Sequence, residues 1–150
     1  SHPVFDVCAQ RFGSRRAQAT AAAAKHFETP AIEPLICLAF TDSAFVVQQG
    51  AETGLQAYLR NCPQRAASLY KNLPLKGKIA FLKIAENLPI KKITPLIRDA
   101  IFNDNDSTLQ LLAWQAWFQL DKKAAKKAAA KTATHFQPLQ QLLRYYLNQP

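Results

Sequence analysis

Apolar and polar positions alternate along this chain with a helical period almost throughout. From Ile93 to Leu120 the pattern resolves into two helices. Leu96, Ile97, Ala100 and Ile101 fall on one face of a first helix, which opens at Thr94-Pro95, where proline gives up a backbone donor that had no partner in the first turn. Asn103-Asp104-Asn105-Asp106 interrupts the period, because short polar side chains bond the local backbone and favour turns. Ser107 and Gln110 have capping-box spacing and predict the second helix. Leu109, Leu112, Ala113, Ala116, Trp117 and Leu120 form one stripe on it, and Leu111, Trp114 and Phe118 form another. A helix apolar on two sides must be covered on two sides, so the aromatic residues read as core.

The remaining elements follow the same logic. Val4, Cys8 and Phe12 space out a short first helix, and Arg15 to Phe27 an alanine-rich second one. Ile32 to Phe40 repeats the proline-led pattern: Ile32, Pro34, Leu35, Ile36 and Ala39 match Ile93, Pro95, Leu96, Ile97 and Ala100 at a common offset of 61. Thr53 with Gln56 has capping-box spacing and predicts a helix opening there and ending near Asn61. Pro63 starts another, with Ala66, Ala67 and Tyr70 inward. Leu75 to Leu88 forms the next, with Ile79, Leu82, Ala85 and Leu88 on one side, weakened at Gly77 and closed by Pro89. Asp121 to Thr134 is expected to be a helix with a solvated lysine face, and Pro138 to open a last one striped by Leu139, Leu142, Leu143, Tyr146 and Leu147.

The pair at residues 93–120 resembles a HEAT repeat. Pro95, Asp104, Leu109, Ala113, Ala116 and Leu120 stand where that family tends to carry a leading proline, a turn aspartate, an aliphatic residue and spaced alanines. Gln110 stands where the usual arginine would be. The resemblance implies an all-α fold of six to eight short helices in antiparallel pairs, stacked as a short right-handed HEAT-like array. It also implies a protein-binding or scaffold module of a larger assembly, a function that rests on analogy of fold.

At 150 residues, residues 1–150 read as a single α-helical domain with 49% hydrophobic residues and only 4 Gly. Ser1-His2-Pro3 and the lack of any Met read as a domain excised from a larger protein or a processed chain. No apolar run reaches the length of about 18 residues that a membrane-spanning helix needs. Cys8, Cys37 and Cys62 are odd in number and lack metal spacing; Cys37, in LICLAF, reads as a buried free thiol, which favours a reducing, cytoplasmic setting, with one disulfide plus one free thiol as the alternative.

The net charge of +9 is clustered. Residues 60–92 carry eight basic side chains against Glu86, and residues 121–150 carry Lys122, Lys123, Lys126, Lys127, Lys131 and Arg144 against Asp121. Arg15, Arg16, Arg60, Arg65, Lys122, Lys123, Lys126, Lys127 and Lys131 are therefore the candidate anion- or partner-binding residues. Two partners are compatible with them: another protein, or a nucleic acid or other anionic surface bound without sequence preference. A solvated face that keeps a sticky helical protein apart is the plainer reading, since no aromatic residue is interleaved among these lysines to stack on bases. Catalytic signatures are missing from the sequence: no HExxH, G-x-S-x-G or GxxxxGK[ST] occurs, and His26 and His135 stand without a nucleophile and carboxylate pattern. Asp104-Asn105-Asp106 starts like a calcium loop, but its sixth and twelfth positions are Leu109 and Gln115 instead of glycine and glutamate. No enzyme activity, cofactor or metal is expected.

Overall fold

Proline-led turns and alanine-rich faces do produce helices in a computed structural model of the chain, which describes residues 32–87 and 93–150. The expected helices before Thr29, the proline stop at Pro89 and the candidate residues Arg15 and Arg16 lie outside the described residues. Among the described residues the fold is all-α, with eight α-helices and no strand. Two compact units divide the chain, Ser1–Phe81 and Leu82–Pro150.

The first unit contains α1 (Glu33–Phe40), α2 (Phe45–Asn61), a 3-10 turn (Pro63–Arg65), α3 (Ala66–Asn72) and the first part of α4 (Leu75–Asn87). Helix α1 packs on α2. Its buried side carries Ile36, Ala39 and Phe40, while α2 buries Val47, Ala51, Gly54, Leu55 and Tyr58. The predicted start at Thr53 is incorrect, because α2 already begins at Phe45. Thr53 sits inside the helix and its hydroxyl donates to the Gln49 carbonyl, the back-bond that Ser and Thr make when they are not caps. In α3 the inward residues are Ala66, Leu69 and Tyr70, whereas Ala67 is exposed. Gly77 has a packing role: a Cβ there would lie 2.9 Å from Leu73 Cδ2 and 3.1 Å from Phe40 Cδ2. The helix tolerates glycine because the neighbours need the space.

The second unit contains the rest of α4, then α5 (Thr94–Asn103), α6 (Ser107–Leu120), α7 (Lys122–Ala129) and α8 (Gln137–Leu147). Helix α6 is its centre, packed by α5, α7 and α8. That coverage accounts for the two apolar stripes. Trp114, Trp117 and Phe118 are all buried, with Trp114 ring centroids 5.2 Å from Trp117 and 5.8 Å from Phe118. Phe118 in turn stacks on Tyr146 of α8 at 4.0 Å, so the C-terminal helix is docked on α6. Helix α7 is shorter than Asp121–Thr134, since Ala130 and Lys131 already form a turn.

Three helices, α2, α6 and α8, enter by one device. Asp42, Asp104 and Thr134 accept a hydrogen bond on the side-chain oxygen from the backbone N–H two residues on, at Ala44, Asp106 and Phe136. The carbonyls of the same three residues accept the side-chain amides of Gln48, Gln110 and Gln140, six residues on. Just before each glutamine stands a buried aliphatic residue, Val47, Leu109 or Leu139. This corrects the capping box at Ser107: the cap is Asp106, whose carboxylate accepts from Leu109 N–H at 3.0 Å, and Gln110 bonds to the turn instead.

Candidate functional site

The repeat seen in the sequence at an offset of 61 continues through the second helix at 62. Val47, Ala51, Gly54 and Leu55 of α2 correspond to Leu109, Ala113, Ala116 and Trp117 of α6, and every one of these is buried. The extra residue falls at the end of the leading helix: α5 has 10 residues against 8 in α1, and the turn before α6 is one residue shorter than the turn before α2. Both leading helices start from a buried isoleucine in the same backbone conformation, Ile32 at φ −79°, ψ −19° and Ile93 at φ −90°, ψ −8°.

Each leading helix also borders a cleft, on the same face. In the first unit a cleft of about 620 Å³ is lined on α1 by Glu33, Pro34, Cys37, Leu38 and Thr41, and across from it by Arg65, Asn72, Leu73 and Pro74. In the second unit a cleft of about 530 Å³ is lined on α5 by Thr94, Pro95 and Arg98, and across from it by Trp117, Leu120, Asp121 and Ala124. Glu33, Pro34 and Cys37 are the offset-61 counterparts of Thr94, Pro95 and Arg98. Both volumes are in the range of clefts that take a ligand or a partner's side chains.

The first cleft has a polar end and an apolar body. Glu33 is 7% exposed, and its carboxylate accepts from Tyr58 Oη at 3.2 Å and from Arg65 Nε and Nη2 at 3.1 and 3.0 Å. Burial of a carboxylate is tolerable only with such partners. Arg65 Nη2 also reaches Ser68 Oγ at 3.4 Å. The bond to Glu33 and its charge raise the Arg65 guanidinium further above its ordinary range. Burial, then the neighbouring Glu33 charge, pushes the Tyr58 phenol up to about 12. The same two causes push the Cys37 thiol up, so it stays protonated near neutrality and is a poor nucleophile. Along the apolar body, Leu38 is 62% exposed even though it is a large aliphatic residue, and Leu75, next to Pro74, also stands in solvent.

The candidate cations separate into distinct environments. Arg60 is exposed, and Arg65 is tied to Glu33. Lys122, Lys123, Lys127 and Lys131 are exposed, with Lys123 and Lys127 one turn apart on α7, opposite buried Ala125 and Ala129. Lys126 instead donates to the Gln149 carbonyl at 2.6 Å and fastens the chain end. His135 is exposed, Cys37 is half-buried and Cys62 is buried. Among the described residues, no group of His, Cys, Asp and Glu has metal-holding geometry, and no helix is long and apolar enough to cross a membrane.

Comparison of the chain with protein-family models, curated proteins and solved structures finds no match. Glu33 and Leu38 were not picked out by sequence reasoning. The available signal was a charged residue at a position whose counterpart, Thr94, is neutral, and a leucine off the buried stripe of its helix.

Proposed function

We propose that the chain is a non-catalytic protein-binding module, and that α1–α2 and α5–α6 are two copies of one HEAT-like antiparallel helix pair. One observation carries the reading: the same three positions of each leading helix, Glu33, Pro34 and Cys37 in one and Thr94, Pro95 and Arg98 in the other, border an open cleft. A repeat that leaves the same face uncovered twice has the form of a scaffold. The Glu33–Arg65 pairing and the protonated Cys37 thiol of the first cleft fit recognition better than turnover. The test is capture of proteins from an extract by the immobilised full chain and by its Leu38→Asp variant. Proteins held by the first and lost by the second support the reading. Retention of no protein, or the same set on both, sinks it.

A second reading is binding to nucleic acid or another anionic surface without sequence preference. It is favoured by the exposed Lys122, Lys123, Lys127 and Lys131 and by the lack of any acidic residue after Asp121. Binding to mixed duplex DNA at two salt concentrations separates the two. Tight binding that falls steeply with salt and weakens when Lys122, Lys123 and Lys127 are replaced by alanine supports this reading. No binding at low salt removes it.

A further inference from the structure

The body of the first cleft and its charged surroundings together specify a kind of partner. Pro34, Cys37, Leu38, Leu73 and Pro74 present an apolar floor and rim with Leu38 standing out into water, an arrangement suited to receiving a partner's aliphatic or aromatic side chain. The chain from Arg60 to Phe81, which supplies one wall, carries five basic side chains and no acidic one. Two of these lysines, Lys71 and Lys76, are exposed and flank the wall residues Asn72, Leu73 and Pro74 in the chain. Arg65 is 37% exposed and lines the cleft with its guanidinium held in place. Among the described residues, Nε and Nη2 are committed to Glu33 and Ser68 and the Nη1 edge is left for an incoming acceptor. Glu33 and Arg65 cancel each other's charge, so the positive charge offered to a partner comes from Lys71 and Lys76.

We infer that this cleft takes a short acidic segment of a partner protein, seating one large apolar side chain among Pro34, Leu38, Leu73 and Pro74 and setting flanking carboxylates against Lys71 and Lys76, with Arg65 Nη1 as a further hydrogen-bond donor. The inference rests on the protein-binding reading and adds the chemistry of the ligand. Charge complementarity at the rim supplies selectivity and encounter rate, while the apolar side chain supplies the anchor.

The test is fluorescence anisotropy of the full chain with three short labelled peptides: leucines flanked by glutamates, leucines flanked by lysines, and serines flanked by glutamates. Saturable binding of the first is expected, with the other two weaker by about tenfold or more. Leu38→Asp, and the double change Lys71→Glu with Lys76→Glu, should each weaken the first peptide by a similar factor. Lys123→Glu with Lys127→Glu should leave it unchanged. All the altered side chains are exposed, and unchanged thermal melts confirm that the variants are folded. Lysine peptides binding as well as glutamate peptides, or affinity indifferent to Leu38, Lys71 and Lys76, overturns the inference. If the peptide arm fails while Leu38-dependent capture of a protein persists, the partner chemistry falls alone. If both fail, the protein-binding reading falls with it.

Discussion

Gln110 donates its side-chain amide to the backbone carbonyl of Asp104 at 2.7 Å, and so closes the turn between α5 and α6 from the helix side. The Asp104 carboxylate closes the same turn from the other side through Asp106 N–H at 3.0 Å. Gln48 with Asp42 and Gln140 with Thr134 repeat the arrangement. The three turns therefore orient the helices that follow them by one local code.

That code makes a prediction against the capping-box reading. Asp106→Ala should cost about 1 kcal/mol, since it leaves Leu109 N–H without its acceptor. Gln110→Ala should cost about 0.5–1.5 kcal/mol. Ser107→Ala should be within about 0.5 kcal/mol of neutral, because Ser107 is exposed and lies inside the helix. Urea melts of the three variants check the ordering. A larger loss at Ser107 than at Asp106 contradicts the structure.

Gly77→Ala sets two effects against each other. Alanine gains about 1 kcal/mol in helix propensity. Its Cβ would meet Leu73 Cδ2 at 2.9 Å, Leu73 Cβ at 3.1 Å and the Phe40 ring at 3.1 Å, and such crowding costs about 1–3 kcal/mol. The Leu73 methyl can swing aside, but the Leu73 Cβ and the aromatic ring have less freedom. A net loss is expected, read as a lower melting temperature. A stabilised variant would show that the α1–α4 contact yields easily.

Tyr58 makes stability depend on alkaline pH. Its phenol titrates near 12 in the folded chain, against about 10 in an unfolded one. Above pH 10 the unfolded state loses the proton first, so the contribution is full below about 10 and disappears as pH rises through about 12. The slope from this group is at most about 1.4 kcal/mol per pH unit. Tyr58→Phe should be less stable at pH 7 by about 1–2 kcal/mol, having lost the bond to Glu33, yet decline less than the parent between pH 10 and 12. Parallel stability curves for the two proteins in that window would refute the assignment.

The core of the second unit predicts a sharp contrast in sensitivity. Trp114→Ala should cost about 3–5 kcal/mol, because the ring is fully buried against Trp117 and Phe118. Lys123→Ala and Lys127→Ala should each stay within about 0.5 kcal/mol. A chain ended after Thr134 would lose α8 and the Phe118–Tyr146 stack, and should lose cooperative melting. Unchanged melting of that chain would mean that α8 contributes little.

Helix type, the proline-led openings and the buried face of α6 were legible in the sequence, since each depends on residues within a turn or two of one another. Periodicity marked Trp114, Trp117 and Phe118 as core before any neighbour was known. The second half of the repeat was legible too, in Val47, Ala51 and Gly54 against Leu109, Ala113 and Ala116, but one residue added at the end of the leading helix shifts its register and hides it from a fixed offset.

Tertiary structure alone decided which polar groups are committed and which are left to act. Glu33 and Arg65 are 32 residues apart in sequence, so nothing local announces that each neutralises the other. The same holds for Lys126, spent on the Gln149 carbonyl, and for Leu38, left exposed at the edge of a cleft. Secondary structure answers to local pattern, whereas the availability of a charge or a groove depends on what distant parts of the chain bring against it.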